Sequence, residues 1–194
     1  MKDDLTRYLQ LGRDALLWKL DGVSEYDARR PMVPTGTNLL GLVKHVTSVE
    51  IGYFGDVFGR PFPDAPSWTA DDAEPGADMW ATVEESRGFI IELYRRVWAH
   101  SDHTIESLDL DSPGLVPWWP LERRNVTLHR VLVHLVAETQ RHAGHADILR
   151  ELIDGSTGVR PDLPKSDDDF NWVAYRARLE QAARDAGDQT SSPS

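Results

Sequence analysis

Glu138 and His142 stand four residues apart in a proline-free, apolar-periodic stretch, Glu138-Thr139-Gln140-Arg141-His142-Ala143-Gly144-His145-Ala146-Asp147. On an α-helix that spacing stacks the two side chains one turn apart on one face, with His134 a turn before and His145 a turn after. Val131, Leu135 and Leu149 share the face. Imidazoles and a carboxylate set among aliphatics are costly to bury unpaired, and a divalent cation would satisfy several of them together. A catalytic metal typically takes three protein ligands, and this segment supplies two in Glu138 and His142. The third has to come from elsewhere. His45 is the natural candidate, midway along a second apolar run between Leu42 and Val49, with Gly41 and Gly52 on its face small enough to admit a facing helix. A His, Glu, His set on a divalent ion leaves an open coordination position, which suits activation of water or a thiol. Zinc fits these donors best, and nickel, manganese and iron are compatible with the same ligand types. His134 or His145 could ligate in place of Glu138, orient a ligand from behind, or carry a proton. Trp118 and Trp119, between prolines, could wall the site or plug the open end of the fold. His100, His103 and His129 fall at expected helix ends or in loops and are assigned no function.

Four long helices are needed to position these groups. Leu5, Leu9, Leu16 and Leu20 form one stripe, predicting a helix over 5–20 with Asp3 or Asp4 as cap and Gly12 filling the remaining turn. A second helix, carrying His45, is expected from Thr37 or Asn38 to about Gly59. Pro61, Pro63, Pro66 and Pro75 make 60–75 a crossover loop. Trp80, Val83, Phe89, Ile90, Leu93, Tyr94 and Val97 predict a third helix over 77–100. After the rigid Pro113–Pro120 loop, the fourth should run from about Thr127, or an Asn125 cap, to Asp154 and stop at Gly155. A shorter helix over 170–184 follows a Pro- and Asp-rich link. With no convincing strand alternation, the expected class is all-α, an antiparallel four-helix bundle with a short additional C-terminal helix. Residues 1–185 are expected to form a single domain, and 186–194 a disordered tail.

The 194 residues are 40% hydrophobic with a formal net charge of −11, enough for one sizeable core and unsuited to binding phosphate polyanions. Nucleic acid is not an expected partner. No run is long and apolar enough to span a bilayer, and Met1-Lys2-Asp3-Asp4 has no apolar signal core behind it, so a soluble, cytoplasmic protein without membrane contact is expected. Cysteine is absent, which excludes disulfides, thiolate ligands and a cysteine nucleophile. Any thiol in the chemistry must arrive with a small molecule. Phosphate-binding loops, dinucleotide fingerprints, Gly-x-Ser-x-Gly elbows and His-Glu-x-x-His motifs are likewise missing.

The run Thr37-Asn38-Leu39-Leu40-Gly41-Leu42-Val43-Lys44-His45-Val46, together with Glu138 to Gly155, resembles the DinB superfamily in its DUF664 branch. The resemblance covers roughly Leu5 to Leu179 and implies the four-helix bundle. It also implies metal-dependent chemistry on small molecules, with relatives that use low-molecular-weight thiols such as mycothiol or bacillithiol, among them a mycothiol-dependent maleylpyruvate isomerase. Those relatives hold zinc with a His of the second helix and a pair from the fourth, which here become His45, Glu138 and His142. Many superfamily members carry His where Glu138 stands, and the isomerase-like pattern has Glu. The first expectation is therefore a metal-dependent thiol S-transferase acting on a small electrophile, with a small thiol and a small-molecule substrate as partners and a homodimer allowed if a helix face stays exposed. Two alternatives stand beside it: a hydrolase or isomerase using metal-bound water, and a non-catalytic bundle that binds metal or a small ligand.

Overall fold

A computed structural model describes residues 1–162 and 170–190, which are mostly helical with one two-stranded sheet. The chain divides into two compact units, Met1–Pro161 and Asp162–Ser194. In the first, α1 (Lys2–Trp18) is followed by a short α2 (Glu25–Arg29), α3 (Leu39–Glu50), α4 (Arg87–Ser107), strands β1 (Pro113–Leu115) and β2 (Asn125–Thr127), and α5 (Leu128–Asp154). Helix α1 packs along α5, and α3 packs against both α4 and α5. The second unit contains α6 (Trp172–Thr190), with Asn171 Oδ1 accepting from the Ala174 amide at 2.9 Å in its first turn. Of the tail expected over 186–194, residues 191–194 lie outside the described residues.

Helix α5 has the ends that its sequence requires. The Thr127 side chain accepts from the Arg130 amide, and Gly155 closes the helix at φ 75°, a left-handed conformation that glycine adopts without a Cβ clash. Helix α3 begins where expected, its Asn38 cap accepting from the Gly41 amide at 2.8 Å. In α1 the acidic pair departs from expectation: Asp3 and Asp4 lie inside the first turn, beside the positive end of the helix dipole, and do not cap it.

Two helix boundaries depart further. Helix α3 ends at Glu50, nine residues short of Gly59, and continues as a π-helical turn, Ile51–Gly55, and a 3-10 turn, Asp56–Phe58. The looser turn accompanies burial of Phe54 at 0% exposure, and the indole ring of Trp118 lies against Gly52. Helix α4 begins at Arg87, not Ala77, because Ser86 caps it by accepting from the Phe89 amide, and it runs on to Ser107. Residues Ala77–Met79 form one 3-10 turn after Gly76 at φ 78°, and Trp80 is extended. The β1–β2 pair, with Gly114 opposite Val126, was not expected from the sequence; three residues per strand are too few to show alternation. It closes the ends of the loop that carries Trp118 and Trp119.

Two apolar clusters meet along α5. Leu128, Val131, Leu132 and Leu135 belong to one, with Leu9 and Phe54; Ala143, Ala146 and Leu149 belong to the other, with Leu16, Leu40 and Ile90. Each buried leucine contributes roughly 1.5–3 kcal/mol by leaving water. Glu138 and His142 fall in the interval between the clusters, so the two cores hold the polar layer in place from both sides.

Candidate metal centre

Helices α3 and α5 bring His45, Glu138 and His142 together, with one ligand atom from each lying within 4.8 Å of the others. His142 Nε2 is 2.8 Å from Glu138 Oε1, and His45 Nε2 is 3.8 Å from the same oxygen. The imidazole rings of His45 and His142 meet edge to face, with centroids 4.8 Å apart at 69°. Donors at about 2.0–2.2 Å around a tetrahedral zinc are separated by roughly 3.3–3.6 Å, a spacing these side chains bracket. His142 is buried, whereas His45 and Glu138 keep partial access to solvent, as an open site requires. Two imidazoles and one carboxylate, without sulfur, form a donor set suited to zinc and to other first-row divalent ions.

Protonation favours the ligand forms. Burial pushes the His142 imidazole below its ordinary value, despite the opposing hydrogen bond to Glu138. For Glu138, burial acts upward, but the hydrogen bond with His142 and the electrostatic influence of the neighbouring imidazoles and Arg141 outweigh it and hold the carboxyl below its usual range. Neutral imidazole and ionised carboxylate are the states that bind metal.

Two groups here were missed in the sequence reading. Asp78, in the Ala77–Met79 turn, places Oδ2 2.6 Å from His45 Nδ1, and that contact holds its carboxyl below the usual range. Tyr53, in the π-helical turn, accepts from both Trp119 Nε1 at 2.8 Å and Trp118 Nε1 at 3.3 Å. For Asp78 the available signal was Ser86, a cap standing before the apolar run from Phe89. Nothing local marks Tyr53, whose partners lie 65 and 66 residues away.

The remaining candidates surround the three. The exposed His145 sets its ring 5.3 Å from that of His142. His134 is outside the three-residue group; its ring packs 4.8 Å from Tyr53 and 5.2 Å from Trp119, and burial lowers its pKa. Trp118, 53% exposed, lines a cavity of about 320 Å³ together with Val49, Tyr53, Asp56, Asp71 and Asp78. Burial, and then the charge of Asp71, push Asp56 upward within that cavity. Trp119 lies behind, joined to Tyr53 and His134, so of these two neighbours Trp118 alone reaches the cavity wall, which Trp68 also lines. Gly41 and Gly52 do not admit a facing helix. A Cβ on Gly41 would overlap the Met79 carbonyl, and one on Gly52 would press on the Trp118 ring at 3.2 Å. A larger depression of about 740 Å³ near α2 brings Arg29, Arg30 and Arg87 together, but all three already bond to carboxylates. Among the described residues, no helix is long and apolar enough to cross a membrane.

The family model described as MST: Mycothiol-S-transferase matches residues 4–155, which include all three candidate ligands and the Trp118 loop. No curated protein matched the sequence.

Proposed function

The chain belongs to the mycothiol-S-transferase family, and from that premise we propose that it is a metal-dependent transferase joining a low-molecular-weight thiol to a small electrophile. The observation that carries the reading is the convergence of His45, Glu138 and His142, with His45 in contact with Asp78, a residue of the cavity that Trp118 also lines. We read α1, α3, α4 and α5 as an antiparallel four-helix bundle, a fold that builds sites from side chains on facing helices, and the packing of α3 on α5 supports this.

In this reading His45, Glu138 and His142 hold one divalent cation, best matched by zinc, with nickel, manganese and iron as alternatives. Bound there, the cation would act as a Lewis acid that lowers the pKa of a thiol and so makes a sulfur nucleophile available near neutral pH. The chain does the positioning. Glu138 brings one negative charge against the cation, leaving one net positive charge to attract a thiolate. Trp118 offers an apolar ring on which the organic part of a substrate can rest. His145, exposed and in ring contact with His142, would accept the proton that the thiol gives up on becoming a thiolate, before sulfur displaces the leaving group of the electrophile. His134 and Trp119 act from behind, supporting Tyr53 and the indole wall. The thiol is of the mycothiol class by family, with bacillithiol as the alternative; the electrophile is a small molecule.

Elemental analysis of protein purified without added metal or chelator tests the first half of this reading. One divalent ion per chain is expected in the unmodified protein, and none in His45→Ala or His142→Ala. Loss of mycothiol in the presence of 1-chloro-2,4-dinitrobenzene tests the second half. Metal-loaded protein that neither binds nor consumes any such thiol would sink the transferase assignment.

A further inference from the structure

The segment Gly76–Glu85 has almost no regular structure, yet it is held against α3 at several points. The backbone of Gly41 leaves room for the Met79 carbonyl, which any Cβ there would displace. Asn38 Nδ2 reaches the same carbonyl at 3.4 Å. Lys44, buried at 2% exposure, donates to the Trp80 carbonyl at 2.9 Å and to both oxygens of Glu85 at 2.8 and 2.9 Å. From the other side, Arg29 donates to the carbonyls of Ala81, Thr82 and Glu85. A buried lysine and an arginine committed to fixing a loop represent a large electrostatic investment for a connection with no hydrophobic centre of its own. The only carboxylate of this strap that touches a candidate metal ligand is Asp78, 2.6 Å from His45 Nδ1.

A carboxylate can only accept from an imidazole nitrogen, so this contact requires the proton to sit on Nδ1. Nε2 is then the free lone pair, and it is Nε2 that faces Glu138. His142 has no equivalent support, because its Nδ1 is buried without a hydrogen-bond partner. Orientation of the ligand set therefore depends on His45, which has a single anchor.

Resting on the metal-site reading above, we propose that Asp78 is the positioning residue of this centre. It fixes the tautomer and ring angle of His45, and the 76–85 strap, locked onto α3 through Gly41 and Lys44, delivers it. Carboxylates placed behind metal-binding histidines typically account for 10–100-fold in metal affinity. The proposal has a consequence away from the ligands: Gly41→Ala, which touches none of them, should weaken metal binding by shifting the Met79 carbonyl and Asp78 with it.

The experiment measures the zinc dissociation constant, by competition with a chromophoric chelator, for unmodified protein, Asp78→Ala, Asp78→Asn, Gly41→Ala and Asp72→Asn, with His142→Ala as a site control. Expected are a 10–100-fold weakening in Asp78→Ala and in Gly41→Ala, a smaller loss in Asp78→Asn, whose amide oxygen still accepts from Nδ1, and no change in Asp72→Asn, which removes one negative charge from the loop just before the strap. In zinc-free protein labelled with ¹⁵N-histidine, His45 should show one tautomer, protonated at Nδ1, and a tautomer mixture in Asp78→Ala. That readout needs no metal and would not respond to a purely structural role. If Asp78→Ala binds zinc within twofold of the unmodified protein while His142→Ala loses it, the positioning role is overturned and the metal site stands. If the unmodified protein takes up no zinc, or His142→Ala retains it, the metal reading itself falls and the proposal with it. Should Asp78→Ala fail to fold, Asp78→Asn and Gly41→Ala decide together: an unchanged zinc affinity in both, with the His45 tautomer unchanged in Gly41→Ala, would overturn the positioning role and its delivery by the strap.

Discussion

Glu50→Gln should cost the fold about 3 kcal/mol, and the reason is visible around Arg13. Both side chains of this pair are 0% exposed, joined by Arg13 Nε to Glu50 Oε1 at 2.9 Å and Nη2 to Oε2 at 2.6 Å. Burial alone would lower the Arg13 pKa, but Glu50 and then Asp102 outweigh it and raise it, so the guanidinium remains charged. Surface ion pairs are worth about 0–1 kcal/mol, a figure that solvent screening explains and that does not apply here. Removing one partner of a fully buried pair instead costs about 3–5 kcal/mol, because the other charge is left uncompensated. The low end applies because Asp102, partly exposed, still accepts from Arg13 Nη1 at 2.8 Å. Against a total stability of about 5–15 kcal/mol this is a large fraction. Urea unfolding of metal-free protein is the assay; with a slope of about 2 kcal/mol per molar, the midpoint should fall by about 1.5 M. The double variant Arg13→Met, Glu50→Leu removes both charges and should recover much of the loss, since an apolar pair of similar volume is often neutral or better. A shift in Glu50→Gln below 1 kcal/mol, or a double variant worse than the single, would refute the argument that an unpaired buried charge sets the cost.

Gly12→Ala should destabilise even though alanine is the better helix former by about 1 kcal/mol. The new Cβ would sit 2.8 Å from Thr139 Cγ2 and 3.2 Å from Gln140 Nε2, and overpacking costs about 1–3 kcal/mol; a raised melting temperature would contradict this. Zinc at 100-fold above its dissociation constant should add about 2.7 kcal/mol of stability to the unmodified protein and nothing to His142→Ala, as read from melting with and without metal. Metal-free protein should lose stability as pH falls below about 6.5, the ordinary histidine value. His134 and His142 both have folded values lowered chiefly by burial, so in that window the unfolded chain holds more protons and is favoured, whereas above it neither state is protonated and the stability is complete. Urea midpoints at pH 7.5, 6.5 and 5.5 would rule the account out if they rose on acidification.

How much of this molecule was legible in its sequence depended on whether the relevant geometry was a property of a single helix. Thr127, Gly155 and Asn38 announce the ends of α5 and the start of α3 through backbone chemistry that operates within a few residues. Glu138 and His142 are neighbours because any helix makes them so. His45 could be nominated because its apolar flank required a buried face, and α3 packs that face on α5. The other half of the site has no such local cause. Ile51-Gly52-Tyr53-Phe54-Gly55 keeps an apolar character that reads as more helix, whereas the chain there forms a π turn that accompanies the burial of Phe54 and the seat of Trp118 over Gly52. Gly41 and Gly52 advertised a close approach correctly, but the approaching groups are a carbonyl and an indole from irregular segments, which no periodicity describes. Asp78 meets His45 across 33 residues and Trp119 meets Tyr53 across 66. Ligand spacing is thus encoded by helix geometry, whereas the orientation of a ligand and the wall of the cavity are set by loops whose positions follow from tertiary packing. Those same loops line the space where a substrate would lie. The donor set is accordingly what the helices disclose, and in the proposed reaction the choice of electrophile would fall to Trp118, Asp56, Asp71 and their setting, to be read from bound substrate and from variants of those side chains.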